Sequence, residues 1–338
     1  MNTEQLIFDL CAAHGVSGSE AAVFDVVRQA LEPTGARVQT LYGGLLAELG
    51  DPQADKTILL DAHLDRIGFI ITDINDKGFV KVDKVGGIDI RTLQDSVLIA
   101  ENGLKGTVCC LPPHLSDGSE DKATPMEKTW VDFGLPAEAV REQLQLGDTL
   151  TFYTKPKKLL GDKMTAAALD DRCGVAALVR AAELIHTDAY RVLLLFSTQE
   201  ETYGTGAKTG AFSVDADEAI AVDVSFAAQP DVSGQYGKIE LGKGPMICYS
   251  SVMDRAMSQK LTAVAREQGI PFQLEPIAGA TGTNGDHIAV SKGGVKTAVV
   301  SIPQRNMHTP AEVISLSDVE NTARLLAAYI NCGGAFHD

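Results

Sequence analysis

The chain has 338 residues, 45% hydrophobic and 22% charged, with a formal net charge of -16. This is ordinary globular composition, long enough to bury a substantial core. The acidic balance repels phosphate and so argues against nucleic acid or an anionic membrane surface as a partner, and no run of about 18 apolar residues is present to span a bilayer.

Along the chain, the start MNTEQLIFDLCAAHG lacks the basic and long apolar regions of a secretory leader. Two helices are predicted there. Thr3 is placed as the cap of the first, which stops near Gly15. Ser17 and Glu20 form a capping-box pattern for the second, which runs to about Leu31 before Pro33. Leu45–Leu49 and Thr57–Leu60 read as short strands, the first as an edge strand because it carries Glu48. From Phe69 to Lys158 the texture changes. Short β-type pieces (Phe69–Thr72, Phe79–Lys84, Ser96–Ala100, Thr149–Tyr153) alternate with glycine turns, around an aperiodic polar stretch, Pro112–Lys128, and one short helix, Ala137–Gln143. After Leu160 apolar strands alternate with amphipathic helices: helix Arg172–Ile185, strand Arg191–Ser197, strand Ala219–Val222, helix Arg255–Gln268, strand Lys296–Ile302, and a last helix from Ser317, with Glu320 as its capping-box partner, to about Ile330. The expected fold is α/β: a mixed sheet covered by helices on both faces, formed by residues 1–68 and 159–338, with a small β-rich domain inserted over 69–158. The six cysteines form no CxxC pair, which points to reduced thiols and a cytoplasmic location.

Strand ends carry the chemistry. Thr57–Leu60 runs into Asp61-Ala-His63-Leu-Asp65, and Arg191–Ser197 into Thr198-Gln-Glu200-Glu201. Ala219–Val222 ends at Asp223, and Lys296–Ile302 leads to His308. Asp170-Asp171 opens a predicted helix. Ligands of open α/β sheets bind just beyond the carboxyl ends of strands, so these groups can converge from distant positions. Imidazoles and carboxylates without thiolate suit a catalytic Zn, Co or Mn site rather than a structural one. Two ions need a bridging ligand and leave one carboxylate free to take a proton from water. The Glu200-Glu201 pair offers one ligand and one base. Singly, each group has an ordinary reading: Asp170-Asp171 as helix caps, Glu200-Glu201 as the solvated start of a loop, His308 as a loop histidine. Their coincidence at strand ends is what favours a site. Gly237–Gly244 fails as a P-loop, since it lacks the hydroxyl and Pro245 follows. Gly204-Thr-Gly206 fails as a dinucleotide turn, since its glycines come late and Glu200 and Glu201 would repel a pyrophosphate. No GxSxG elbow is present.

Ala62-His63-Leu-Asp65-Arg66-Ile-Gly68, Leu169-Asp170-Asp171-Arg172-Cys-Gly174, Gln199-Glu200-Glu201-Thr-Tyr-Gly204, Val222-Asp223-Val224 and His308-Thr-Pro310-Ala-Glu312-Val, in this order, resemble the M42 aminopeptidases. These are the glutamyl, lysyl and deblocking enzymes that form tetrahedral particles. The resemblance implies a metallo-aminopeptidase that binds two divalent ions (Zn or Co, alternatively Mn) and trims peptides. His63 and His308 each hold one ion, Asp170 bridges them, and Glu201 and Asp223 complete the two spheres. Asp65 orients His63, Glu200 is the general base, and the Asp170–Asp171 peptide is expected to be cis. The inserted domain is expected to carry dimer contacts, the dimers building a hollow tetrahedral dodecamer. Arg66 departs from the family's usual HxDEIG pattern, which makes it a substrate-binding candidate for acidic N-terminal residues. The alternative is a related two-metal amidohydrolase acting on N-acyl amino acids or dipeptides, which would share every ligand.

Overall fold

The computed structural model describes residues 2–115, 123–230 and 232–335. Residues 116–122, within the polar stretch Pro112–Lys128, lie outside the described set. An eight-stranded mixed sheet runs in the order Arg37–Leu41, Gly44–Gly50, Arg191–Ser197, Thr57–His63, Glu218–Phe226, Lys296–Gln304, Met246–Ser250, Gln273–Ile277. Its four central strands, Arg191–Ser197 through Lys296–Gln304, are mutually parallel. Parallel strands sit between helix layers and read as continuous apolar runs; Val192–Phe196 and Ile58–Leu60 are accordingly fully buried.

One face packs against helices Thr3–Ala12, Ala21–Leu31, Leu169–Leu184, Arg255–Glu267 and Leu316–Asn331 around the largest core cluster. The other packs against helix Thr205–Ser213 and the short turn Gly285–Ile288. Helix Leu169–Leu184 is buried almost all round, because it lies between the sheet and an outer helical layer. Strands from Gly68 to Phe152 close into a six-stranded barrel with its own core, including Phe69, Val80, Leu98, Val131 and Leu150. The expected α/β class with a small β-rich unit is what the chain forms.

Several local expectations change. Asn2, not Thr3, caps the first helix, accepting from Gln5 N–H at 3.2 Å. Ser17 and Glu20 form no capping box. Ser17 donates to Asp65, and Glu20 accepts from the Gly18 and Gln199 amides. Leu45–Leu49 is not at the edge; Arg37–Leu41 lies outside it, and Glu48 is held by Arg191 at 2.5 Å. Glu320 pairs with Thr3 and Arg180 rather than capping its own helix. For Ser17, Glu20 and Glu320 a tertiary partner outcompeted the local one.

Candidate metal centre and active site

The parallel register places the functional side chains together. His63 ends its strand beside Ser197, and the chain beyond Ser197 supplies Glu200 and Glu201. On the next strand, Asp223 pairs in register with Ser301. Asp170 arrives from the start of the buried helix, after Ala168 takes the left-handed conformation at φ 67°. The Asp170–Asp171 peptide is cis. His308 comes on a loop after Lys296–Gln304, itself left-handed at φ 61°.

The side chains form two adjoining donor groups with Asp170 between the two imidazoles. Oδ1 of Asp170 lies 3.1 Å from His63 Nε2, and its Oδ2 lies 3.2 Å from His308 Nε2. Asp223 Oδ1 stands 3.8 Å from His63 Nε2, and Glu201 Oε2 stands 3.4 Å from His308 Nε2. Two donor groups result, His63 with Asp171 and Asp223, and Asp170 with Glu201 and His308. Donors about 2.1 Å from a tetrahedral ion lie about 3.4 Å apart, so these spacings fit. Both far imidazole nitrogens are tied down: His63 Nδ1 meets the Asp65 carbonyl at 3.1 Å, and His308 Nδ1 meets the Gly87 carbonyl at 2.9 Å. Such contacts set which ring nitrogen faces a metal.

Electrostatics point the same way. Burial and then the charge of Asp170 push Glu201 up; burial pushes Asp223 up against Glu200 and Asp170; burial pushes Asp171 up against Asp223. Burial opposes protonation of His308, but Asp170 and Glu201 lift it to about 10. For His63, burial is likewise overcome by Asp170 and Asp65. These carboxylates crowd a buried space that calls for positive charge, which a bound cation would supply. Glu200 is raised by burial and by Asp170 and Asp65.

A family model, M42 glutamyl aminopeptidase, matches residues 43–325. That span includes every site residue named above. The chain belongs to the M42 peptidase family. It is 31% identical to the lysyl aminopeptidase of Pyrococcus furiosus, with 96% of each chain covered. A solved aminopeptidase from the archaeon Desulfurococcus kamchatkensis superposes with a TM-score of 0.91 at 30% identity, covering 98% of this chain and 95% of that one. The TET1 peptidase of Pyrococcus horikoshii, described as assembling into a tetrahedron or a large octahedral shell, gives 0.85 at 29% identity, covering 97% and 98%. This M42 chain is therefore a hydrolase of the aminopeptidase type, from a metal-dependent family.

Within this M42 site the residues fit metal ions on structural grounds. Donors are oxygen and nitrogen only, and the buried Oδ2 of Asp171 has no hydrogen-bond partner. Gly174 leaves room for that carboxylate; a Cβ there would sit 2.3 Å from its oxygens. Asp65 does more than face His63. Its Oδ1 accepts from Glu200 N–H at 2.9 Å and its Oδ2 from Glu201 N–H at 3.1 Å. Arg66, the expected substrate contact, is buried, only 4% exposed, with Cys11, Glu312 and Glu201 as the groups its charge acts on.

Sequence reasoning assigned no role to Asp171, Glu312, Gly87 or Asn284. Asp171 and Glu312 lay inside quoted motifs, so proximity to a ligand was their signal. Asn284 donates to Asp61 and Ser197 at 2.9 Å, tying the loop before Gly285–Ile288 to the strand ends. Asp286 closes that loop by accepting from the Thr281 and Gly282 amides. No local pattern marks Gly87 or Asn284, because both act across the tertiary fold.

Proposed function

We propose that this chain is a two-metal aminopeptidase that removes N-terminal residues from peptides. One ion is held by His63, Asp170 and Asp223, the other by Asp170, Glu201 and His308, with Zn or Co the preferred metals and Mn an alternative. The observation that carries this reading is Asp170, whose two oxygens each face a different imidazole. When bound, the ions supply Lewis-acid polarisation of the scissile carbonyl and acidify the attacking water.

The protein groups do the rest. Glu200 is poised as base: its carboxylate accepts no hydrogen bond from the described residues, and its amide is fixed by Asp65. It takes a proton from the attacking water and returns it to the leaving amine. Its raised pKa, caused by burial and by Asp170 and Asp65, suits a group that must also act as acid. Asp65 holds the Glu200 and Glu201 amides and the His63 ring in one geometry.

A cytoplasmic location is supported by six cysteines that are all free. No described helix is long and apolar enough to cross a membrane. We further assign the barrel domain, residues 69–158, to dimer contacts, and the assembly to a tetrahedral dodecamer, the assembly by similarity to the TET1 peptidase, solved as a dodecamer and described as able to form a tetrahedron.

The test is hydrolysis of aminoacyl-p-nitroanilides beside their N-acetylated counterparts, after chelation and after adding Zn²⁺, Co²⁺ or Mn²⁺. Metal-restored activity on free amines only is expected. Activity on the blocked series would instead make the chain an N-acyl amino acid hydrolase.

A further inference from the structure

We propose that Glu312 is a positioning residue that holds the two halves of the metal centre in register, an inference that rests on the two-metal reading. Glu312 is 2% exposed. Its Oε2 accepts from the backbone N–H of Asp170 at 3.2 Å, and its Oε1 accepts from the backbone N–H of His308 at 3.0 Å. One carboxylate thus grips the bridging aspartate with one oxygen and the histidine of the second ion with the other. Glu312 belongs to neither donor group, so it acts as a support and not a ligand.

The backbone around it explains why such a support is needed. Asp170 follows left-handed Ala168, and His308 is itself left-handed, so neither amide is placed by a regular ladder. Without Glu312 the Asp170 amide would be buried without a partner, and the His308 amide would lose its own. The strand that carries Glu312 is a clasp between the same two segments. Glu312–Ser315 pairs antiparallel with Lys163–Ala166, Ala166 opposite Glu312, just ahead of Asp170. Val313 exchanges both backbone hydrogen bonds with Arg305, just ahead of His308, at 2.9 and 3.0 Å. Backbone and side chain of one short strand therefore set the distance between Asp170 and His308. The guanidinium of Arg66 supplies positive charge toward Glu312 from beneath.

The experiment is Co²⁺ titration of the metal-free full chain, wild type beside Glu312→Gln, followed by visible absorption, turnover and the melting temperature of the metal-free form. Gln keeps the shape but turns an amide NH₂ toward one of the two N–H donors. Expected are a metal-free form that still folds cooperatively but melts lower, because one buried amide loses its acceptor, about ten- to hundredfold weaker binding of Co²⁺, and an altered absorption spectrum. The kcat should fall with KM near wild type, as when only transition-state interactions are lost. Wild-type affinity, spectrum and kcat in the variant would overturn the role of Glu312 while leaving the two-metal reading intact. A wild-type chain that binds fewer than two Co²⁺ would overturn that reading and this inference with it. Should Glu312→Gln fail to fold, Glu312→Asp, which keeps the charge but cannot span both amides, is read by the same criteria.

Discussion

At the scale of single residues the site is a set of carboxylates with divided labour. Asp65 is buried and carries three hydrogen bonds, from Ser17 and from the Glu200 and Glu201 amides, beside the His63 ring. Its charged form is held below the usual carboxylate range: burial opposes this, and His63, Ser17 and the amides overcome it. Glu200 has the opposite environment, half-buried beside Asp170 and Asp65, its carboxylate with no hydrogen-bond donor among the described residues. That contrast, between two carboxylates far apart in sequence and joined by one hydrogen bond, is what the proposed roles of fixed anchor and proton carrier require. Glu200→Gln should therefore bind Co²⁺ as the wild type does while kcat falls by about 10²–10⁴. Turnover retained at full metal loading would remove Glu200 as the base.

At the scale of elements, the centre is not confined to the large sheet. The loop after barrel strand Phe79–Val85 reaches His308, where the Gly87 carbonyl meets the ring Nδ1. Gly87 is required by proximity: a Cβ there would lie 2.9 Å from Nδ1 and 3.2 Å from Cε1 of the imidazole. A contact that close forces the ring or the loop to move. Gly87→Ala should weaken metal binding by about tenfold or more, the usual cost of disturbing a ligand's support. Metal content measured after dialysis against a weak chelator checks this; full retention would show that the loop can yield without moving His308.

At the scale of the whole molecule, the barrel and the large sheet also meet away from the metals. His14, after the first helix, bonds Thr149 of the barrel at 2.8 Å. Burial, with Arg66 and Arg172 nearby, lowers the His14 pKa from 6.5 to about 4. Between those values the unfolded chain binds a proton that the folded chain refuses. This contribution to stability is complete above pH 6.5, declines as the pH falls, and is gone below about 4. Melting temperatures across that window should fall less steeply in His14→Gln than in the wild type; parallel curves would assign the acid sensitivity to other groups. Assembly belongs to this scale too. Light scattering should return a mass near twelve times the 35.9 kDa subunit, and a monomer at working concentration would contradict the shell.

The amino-acid sequence alone determined the fold class and marked the acids and histidines that the proposed ligand set draws on. Both rest on local signals: apolar runs make buried strands, and acids and histidines at strand ends can only face the sheet's carboxyl edge. It also determined short regular elements, such as helix Ala137–Gln143. Tertiary structure decided what each polar group does when a distant partner competes with a near one. Ser17 and Glu20 had the spacing of a capping box, yet buried Asp65 and the Gln199 amide took them. Arg66 had the charge of a substrate contact, yet it is buried, with its backbone paired to Gly15. Glu312 and Gly87 gained their roles only when strands and loops far apart in sequence were packed together, because a buried amide or imidazole takes the partner that lies in space and not the one that lies along the chain.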